Sequence, residues 1–356
     1  MKYFKIILIN LFVLILLILF FEIAYRSKKF FVSCLNTGCN FHYFLKPADF
    51  LSPYENMYIF NDKLGYSYKP NFSARIIKWK DAQISIDRLG FRKNGEVDSR
   101  STQKILAVGD SFTFGDGVSD EKTWPACLQR KLKIGVINAG VGGYGAAQSL
   151  RRAEIENLRD VYHNIIFSIL VDSDFDRDRM DYRNCLPKPS VIEDNSFLLW
   201  SNVSDPQKEG TVFNPGLKYP IIYKNFFSIR SLFKKLDINE CKLNSIHPRA
   251  AEKKKIIKWT LSKFSKLNAK NKILLLQYHS EILKPHTDKA KQKIDEERAF
   301  IINEAKKLSI KIVDTYEILR NADLNKTWFG HFGHHTSHGN ELVCSSLYKV
   351  LAQKFK

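Results

Sequence analysis

Four short segments hold the residues whose types and spacing could do chemistry. The first is GDSFTFG at 109–115, which follows a short apolar run and places Ser111 where a strand would turn into a helix. In open α/β sheets, ligands bind beyond the carboxyl ends of the strands. A serine there exposes its hydroxyl, and its own backbone N–H can face a developing oxyanion. Asp110 beside it could hold the turn by a local hydrogen bond. Gly-Asp-Ser is also ordinary turn chemistry. A phosphate-cradling loop fits poorly, because no Gly-Lys-Ser/Thr follows. The second segment, NAGVGGYG at 138–145, carries four glycines, more than a tight turn needs. They would let backbone approach a ligand and supply a second oxyanion donor.

The third segment is VDSD at 171–174, whose polar groups fall at the same sheet end. The run DSDFDRDRMD that begins inside it looks like a cation-binding loop, but it lacks the glycine and distal glutamate of an EF-hand. The fourth segment, HFGHHTSHGN at 331–340, holds four of the nine histidines. A serine hydroxyl is a weak nucleophile and needs a base within hydrogen-bond reach, and a histidine on a loop at the strand ends would supply it. Two other readings stay open at this point: a solvated histidine cluster, and a metal site formed by His331, His334 and His338.

The elements that must position these segments follow from the apolar pattern. Runs at 104–108, 134–138, 164–171, 272–278 and 310–313 suit buried parallel strands. Helical patterns fall between and after them, at about 120–132, 145–159, 249–268, 288–307 and 339–354. Strands alternating with helices imply a parallel sheet covered on both faces. Residues 30–100 read as irregular or β-rich, and 175–248, with prolines at 187, 189, 206, 215 and 220 among others, breaks the alternation as an insertion that carries a lid or substrate-facing surface.

The four segments, in this chain order, resemble the SGNH/GDSL hydrolase superfamily. Gly109-Asp110-Ser111 matches the block that carries the nucleophile, and Gly143 stands where the family has its oxyanion glycine. Gly333-His334-x-Thr336-x-x-Gly339-Asn340 matches the block of the catalytic histidine, with Thr in place of Ser. DKLGYSYKPNFSAR at 62–75, SIDRLGFR at 85–92 and GDSFTFGDGVSDEKTWP at 109–125, with Glu22 and Arg26 after the apolar N-terminus, look like a bacterial membrane-anchored branch. The resemblance covers most of 1–175 and 270–356 and leaves the insertion out.

Two positions depart from the pattern. Ser173 stands where the family has an oxyanion asparagine, with Asp174 keeping the acidic neighbour. His331 and Phe332 stand where a carboxylate would orient the base, leaving a backbone carbonyl, His331, Asp314 or Asp323 for that task. The resemblance implies a three-layer flavodoxin-like α/β fold and a serine esterase acting on an O-acyl ester of a cell-envelope glycan or lipid. Ser111 and His334 would be catalytic. The Ser111 and Gly143 amides and Ser173 would hold the oxyanion, with Asp110, Asp174 and His331 in support and no cofactor or metal. The departures keep alternatives in play: a catalytically impaired protein of the same fold, or an O-acyltransferase that modifies envelope polysaccharide.

The 356 residues are 44% hydrophobic and 26% charged, as expected of a chain with a real core. Net charge is +19, but the basic residues are spread out and no nucleic-acid motif accompanies them. From Ile6 to Phe21 the chain is apolar except for Asn10, and Ile23 to Tyr25 extend the run to Arg26. That length suits an uncleaved single-pass anchor over 1–29. Positive charge flanks both ends, so the positive-inside rule does not orient it; an extracytoplasmic body is expected. The remaining divisions are an extension at 30–100 packing on the core and a hydrolase-like domain at 101–356. The six cysteines form no CxxC pair, and Cys34 and Cys39 are either a local disulfide or two free thiols.

Overall fold

The computed structural model describes residues 2–36, 57–76, 82–95, 103–183, 186–203, 226, 228, 246–283, 287–330 and 333–352. The chain divides into two compact units, one of residues 1–56, 76–81 and 206–242 and one of 57–75, 82–205 and 243–356.

In the first unit, helix α1 runs Lys2–Asn36, past the boundary expected at 29. Its stretch Tyr3–Val32 is long and apolar enough to cross a membrane, with a mean hydropathy of 3.1 over its most apolar 18 residues. Thirty residues at a rise of ~1.5 Å each exceed a ~30 Å hydrocarbon core. Glu22 on this helix is buried, pairs with Arg26 at 2.6 Å, and accepts the backbone N–H and the hydroxyl of Ser228 at 2.7 and 2.8 Å. Cys34 is disulfide-bonded, which sets aside the alternative of a free thiol there, and Cys39, the partner under the other alternative, lies outside the described residues.

The second unit begins with two short antiparallel pairs, β1 (Tyr58–Asn61) with β2 (Gly65–Tyr68) and β3 (Ser73–Ile76) with β4 (Ala82–Ser85). Strand β5 (Lys104–Val108) leads into the short helix α2 (Ser111–Phe114), a 3-10 turn and helix α3 (Trp124–Leu132). Then follow β6 (Gly135–Asn138), α4 (Ala146–Arg159), β7 (Tyr162–Leu170) and the short α5 (Asp174–Arg177). The insertion supplies β8 (Tyr182–Arg183) with β9 (Leu186–Pro187), and β10 (Val191–Asp194) with β11 (Phe197–Trp200). The chain returns through α6 (Lys253–Ser265), β12 (Ala269–Gln277), α7 (Ser280–Leu283) and α8 (Asp288–Lys307) to β13 (Lys311–Asp314). Helices α9 (Tyr316–Arg320), α10 (Leu324–Thr327) and α11 (Ser337–Leu351) close it.

The five long-range strands form one parallel sheet in the order β13-β12-β7-β5-β6. Counted along the sheet strands alone, that is the flavodoxin-like order 2-1-3-4-5, whose switch point lies between the first and third strands. Here these are β5 and β7, the strands that precede Ser111 and Ser173. The sheet side chains alternate as a pleat requires. Leu106, Val108, Phe167 and Leu274 face α4, α6 and α8 through Leu150, Leu261 and Ile301. Ile105, Ala107, Ile166 and Leu275 face α3 and α11 through Leu128, Val343 and Leu347. Burial on both faces explains why these strands read as continuous apolar runs.

Two features tie flanking chain to the core. Arg92, buried after β4, donates to the carbonyls of Phe114, Gly115 and Val118 at 2.8, 2.6 and 2.5 Å and pairs with Asp120 at 3.0 Å. It therefore braces the turn that follows the serine. Cys127 of α3 and Cys344 of α11 form a disulfide with a Cα separation of 6.1 Å, within the range such bonds need. Their separation of 217 residues left no spacing by which the sequence could suggest the pairing.

Candidate active site

Ser111 opens α2 at the carboxyl end of β5. Asp110 is the N-cap of that helix, and its carboxylate accepts the Phe112 N–H at 2.9 Å. The serine turn is thus held by the local bond expected of Asp110. Ser111 is 7% exposed, and the Nε2 of His334 lies 2.8 Å from its Oγ. The two residues are 223 positions apart in the chain.

His334 reaches that position from a short loop between α10 and α11. The Phe329 N–H donates to the His334 carbonyl at 3.0 Å, and the next residue, His335, bridges to Trp328. Thr336 caps α11 by accepting the Gly339 N–H at 3.3 Å, and the Asn340 side chain accepts the Trp124 N–H at 3.0 Å, linking α11 to α3. The Phe112 ring lies among three imidazoles, 5.1 Å from His334, 4.9 Å from His335 and 4.8 Å from His279. Burial, reinforced by the His334 and His279 charges, lowers His335 to about 3. Burial likewise lowers His279 to about 4, with Arg177, His334 and Arg183 adding to it against the opposing charge of Asp110.

The glycine-rich loop after β6 sits against the same turn. The Val141 N–H donates to the Gly109 carbonyl at 3.0 Å, and the Gly142 amide donates to Tyr68 Oη at 2.9 Å. Tyr66 Oη donates to the Gly142 carbonyl at 2.9 Å. Gly143 adopts a φ of 81°, and a Cβ there would lie 2.9 Å from Tyr66 Oη, so the position favours glycine on both counts. Neither the Ser111 amide nor the Gly143 amide has an acceptor among the described residues.

Beneath these segments lies an ion cluster that the sequence did not announce. Arg177, buried on α5, donates to Asp110 at 2.9 Å, to Asp174 at 2.7 Å and to the Tyr144 carbonyl at 3.1 Å. One guanidinium therefore joins the residue before the serine to the residue after Gly143. Burial first, then the charge of Asp110, pushes Asp174 well above the usual carboxylate range. Burial disfavours the Arg177 charge, but Asp174 and Asp110 outweigh it and raise its pKa. The i,i+3 spacing of Asp174 and Arg177 on a short helix was the visible trace of this pairing.

The acids of the run DSDFDRDRMD have partners within the protein. Asp172 pairs with Lys293 at 2.8 Å, and Asp176 with Lys253 at 2.9 Å. Asp174 is held by Arg177, and Asp178 accepts the Ala147 N–H at 2.8 Å at the start of α4. The protein's own cations and amides occupy the acids. Among the described residues, no group of three His, Cys, Asp or Glu gathers as a metal site would need, and His338 is exposed on α11.

The remaining expectations divide. Ser173 precedes α5, half-buried, and its hydroxyl makes no capping bond there. His331 lies outside the described residues. Asp314 and Asp323 are engaged elsewhere, Asp314 with Arg298 and the Tyr278 hydroxyl at 2.8 Å, and Asp323 as the cap of α10. Neither orients the histidine. The acid that does approach is Asp116, buried two residues after α2, with Oδ2 3.8 Å from His334 Nε2. Its place in GDSFTFGDG, just past the serine turn, was the signal that could have marked it.

No family model matches the sequence, and no curated protein matches it. The solved structures that this one resembles include hydrolases of the GDSL/SGNH superfamily. A lipase/acylhydrolase from Enterococcus faecalis is 13% identical over 72% of this chain and 98% of its own, with a TM-score of 0.43. An acetyl xylan esterase from Geobacillus stearothermophilus is 14% identical over 70% of this chain and 94% of its own, with a TM-score of 0.40. A member of the lipolytic G-D-S-L family from Veillonella parvula is 14% identical over 71% of this chain and all of its own, with a TM-score of 0.36.

Proposed function

We propose that the protein is a serine ester hydrolase of the SGNH/GDSL type, tethered by α1 and working outside the cytoplasm. The observation that carries the reading is the 2.8 Å approach of His334 Nε2 to Ser111 Oγ, the distance a general base needs. In the proposed reaction, Ser111 Oγ attacks an acyl carbonyl and its proton passes to His334 Nε2. The Ser111 and Gly143 amides stabilise the oxyanion, with Ser173 Oγ adding a third donor. The tetrahedral species collapses as the imidazolium returns its proton to the leaving alkoxide. Water, activated by the same histidine, then releases the acid from Ser111.

The buried carboxylate of Asp116, 3.8 Å from the same nitrogen, supports the imidazolium through space. Electrostatic support from a buried charge at this range is substantial in a low-dielectric site. The Cys127–Cys344 disulfide supports the extracytoplasmic placement, because such bonds persist in oxidising compartments. The substrate proposed is an O-acyl ester of an envelope glycan or lipid, reached from the membrane through the tether.

Fluorophosphonate labelling tests the reading. The full-length protein is expected to be labelled at Ser111, and Ser111→Ala and His334→Ala are expected to lose the label. An unlabelled wild type would overturn it. A second reading, transfer of the acyl group to a sugar hydroxyl, uses the same acyl-enzyme. It is favoured if an added sugar acceptor accelerates loss of an acyl group trapped on Ser111.

A further inference from the structure

The insertion that the family resemblance leaves uncovered places an arginine against the glycine-rich loop. Arg183 ends β8, half-buried, and a Cβ on Gly143 would lie 3.4 Å from its Cδ and 3.5 Å from its Nε. Its Nε is buried and has no hydrogen-bond partner, and no acid pairs with its guanidinium among the described residues. The neighbouring carboxylates, Asp110 and Asp174, are both taken by Arg177 at 2.9 and 2.7 Å. Burial, and next the Arg177 charge, lower Arg183 from its ordinary value. A partly buried guanidinium without an anion is costly, and an unmet buried donor adds to that cost. It is tolerable where a ligand completes it.

We propose that Arg183 is a specificity-determining residue that binds an anionic group, carboxylate or phosphate, carried by the ester substrate close to its scissile bond. The proposal rests on the ester-hydrolase reading above and narrows its substrate class to negatively charged O-acyl esters. A planar guanidinium suits either anion, because its donors match two oxygens at once. The dispersed excess of basic residues, net +19, would favour the approach of such a substrate.

Three acetyl esters with a common phenyl core test it on the full-length protein: phenyl acetate, 4-acetoxybenzoate and 4-acetoxyphenyl phosphate. The readout is the ratio of kcat/KM for each charged ester to that for the neutral one, compared between wild type and variants. This comparison cancels differences in leaving-group reactivity. Arg183→Gln is expected to lower the ratio at least tenfold, mainly through KM, and Arg183→Lys to restore most of it. The ester with the larger change identifies the anion as carboxylate or phosphate.

A ratio unchanged in Arg183→Gln, or an equal loss of kcat on all three esters, overturns the proposal. Fluorophosphonate labelling of Ser111 needs no anion, so labelling with an unchanged ratio sinks the anion site while the hydrolase reading stands. If the wild type neither labels nor turns over, calorimetry with 4-acetoxybenzoate and 4-acetoxyphenyl phosphate decides. Binding lost in Arg183→Gln keeps the anion site without the hydrolase, and no binding overturns both.

Discussion

The serine and the histidine that meet at the sheet edge are held by different means. On the serine side, Asp110 caps α2, Arg177 ties Asp110 to Asp174 and Tyr144, and Arg92 clamps the three carbonyls downstream. That side is fixed by buried charge and by hydrogen bonds to charged groups. On the histidine side, position comes from backbone bonds to Phe329 and Trp328, the Thr336 cap, the Asn340 link and the Cys127–Cys344 bond. Among the described residues, no carboxylate reaches the far ring nitrogen of His334, and the nearby Asp116 lies on the Ser111 side at 3.8 Å. The contrast teaches that two side chains can be brought together by different means, the serine held by electrostatics and the histidine by covalent and backbone anchoring.

The strongest test of that contrast removes the two side chains to which the proposed function assigns the chemistry. Ser111→Ala and His334→Ala are each expected to cut kcat on an activated ester by ~10³-fold or more, with near-equal losses because the two act as a unit. Steady-state hydrolysis checks this, and a His334→Ala enzyme retaining most activity would remove the histidine from the chemistry.

The next test breaks the serine side. Arg177→Met leaves two buried carboxylates without their cation and is expected to cost about 3–5 kcal/mol of stability. Denaturant unfolding measures it, and a loss near zero would mean that the cluster does not hold the turn. The matching test on the histidine side is the double variant Cys127→Ser/Cys344→Ser. With a closure spanning 217 residues, its loss is expected to cost about 2–5 kcal/mol. If the bond also positions the base, activity at temperatures below unfolding falls while the serine still accepts a fluorophosphonate slowly.

The smallest expected effect is a pH dependence from the imidazoles around Phe112. His279 is lowered to about 4 and His335 to about 3, against an ordinary value of 6.5. As pH falls below about 6.5, the unfolded chain takes up protons that the folded chain refuses. Their neutral burial is therefore fully tolerated above that pH, and stability is lost as pH descends towards those lowered values. Melting curves from pH 7.5 to 5 should show the decline, and His335→Leu should flatten it. An identical slope in the variant would place the effect elsewhere.

Much of this fold could be read in the chain. The five apolar runs became the five sheet strands because burial on both faces leaves no polar interruption, and the helices between them lie close to their expected ranges. The pairing of Ser111 with His334 was also legible, since both segments had to fall at the carboxyl ends of strands. What stayed hidden depends on contacts without local pattern. Nothing in the spacing joins Cys127 to Cys344, or Arg92 to the carbonyls of 114–118. The run DSDFDRDRMD looked like a cation loop because its acids are visible in sequence. The partners that occupy them, Lys253 and Lys293, arrive from α6 and α8. Asp314 was a reasonable candidate to orient the histidine until Arg298 and Tyr278 claimed it.

The wide separation of Ser111 and His334 in the chain has a consequence for how the protein comes into being. The serine turn is synthesised 223 residues before the imidazole that lies beside it. The loop of that imidazole leads directly into α11, which the Asn340 link and the disulfide join to α3. A nascent chain therefore carries the Ser111 hydroxyl without its imidazole until the residues from 334 onward are in place. On the proposed reading, the hydroxyl would stay inert until then without any inhibitor to enforce it.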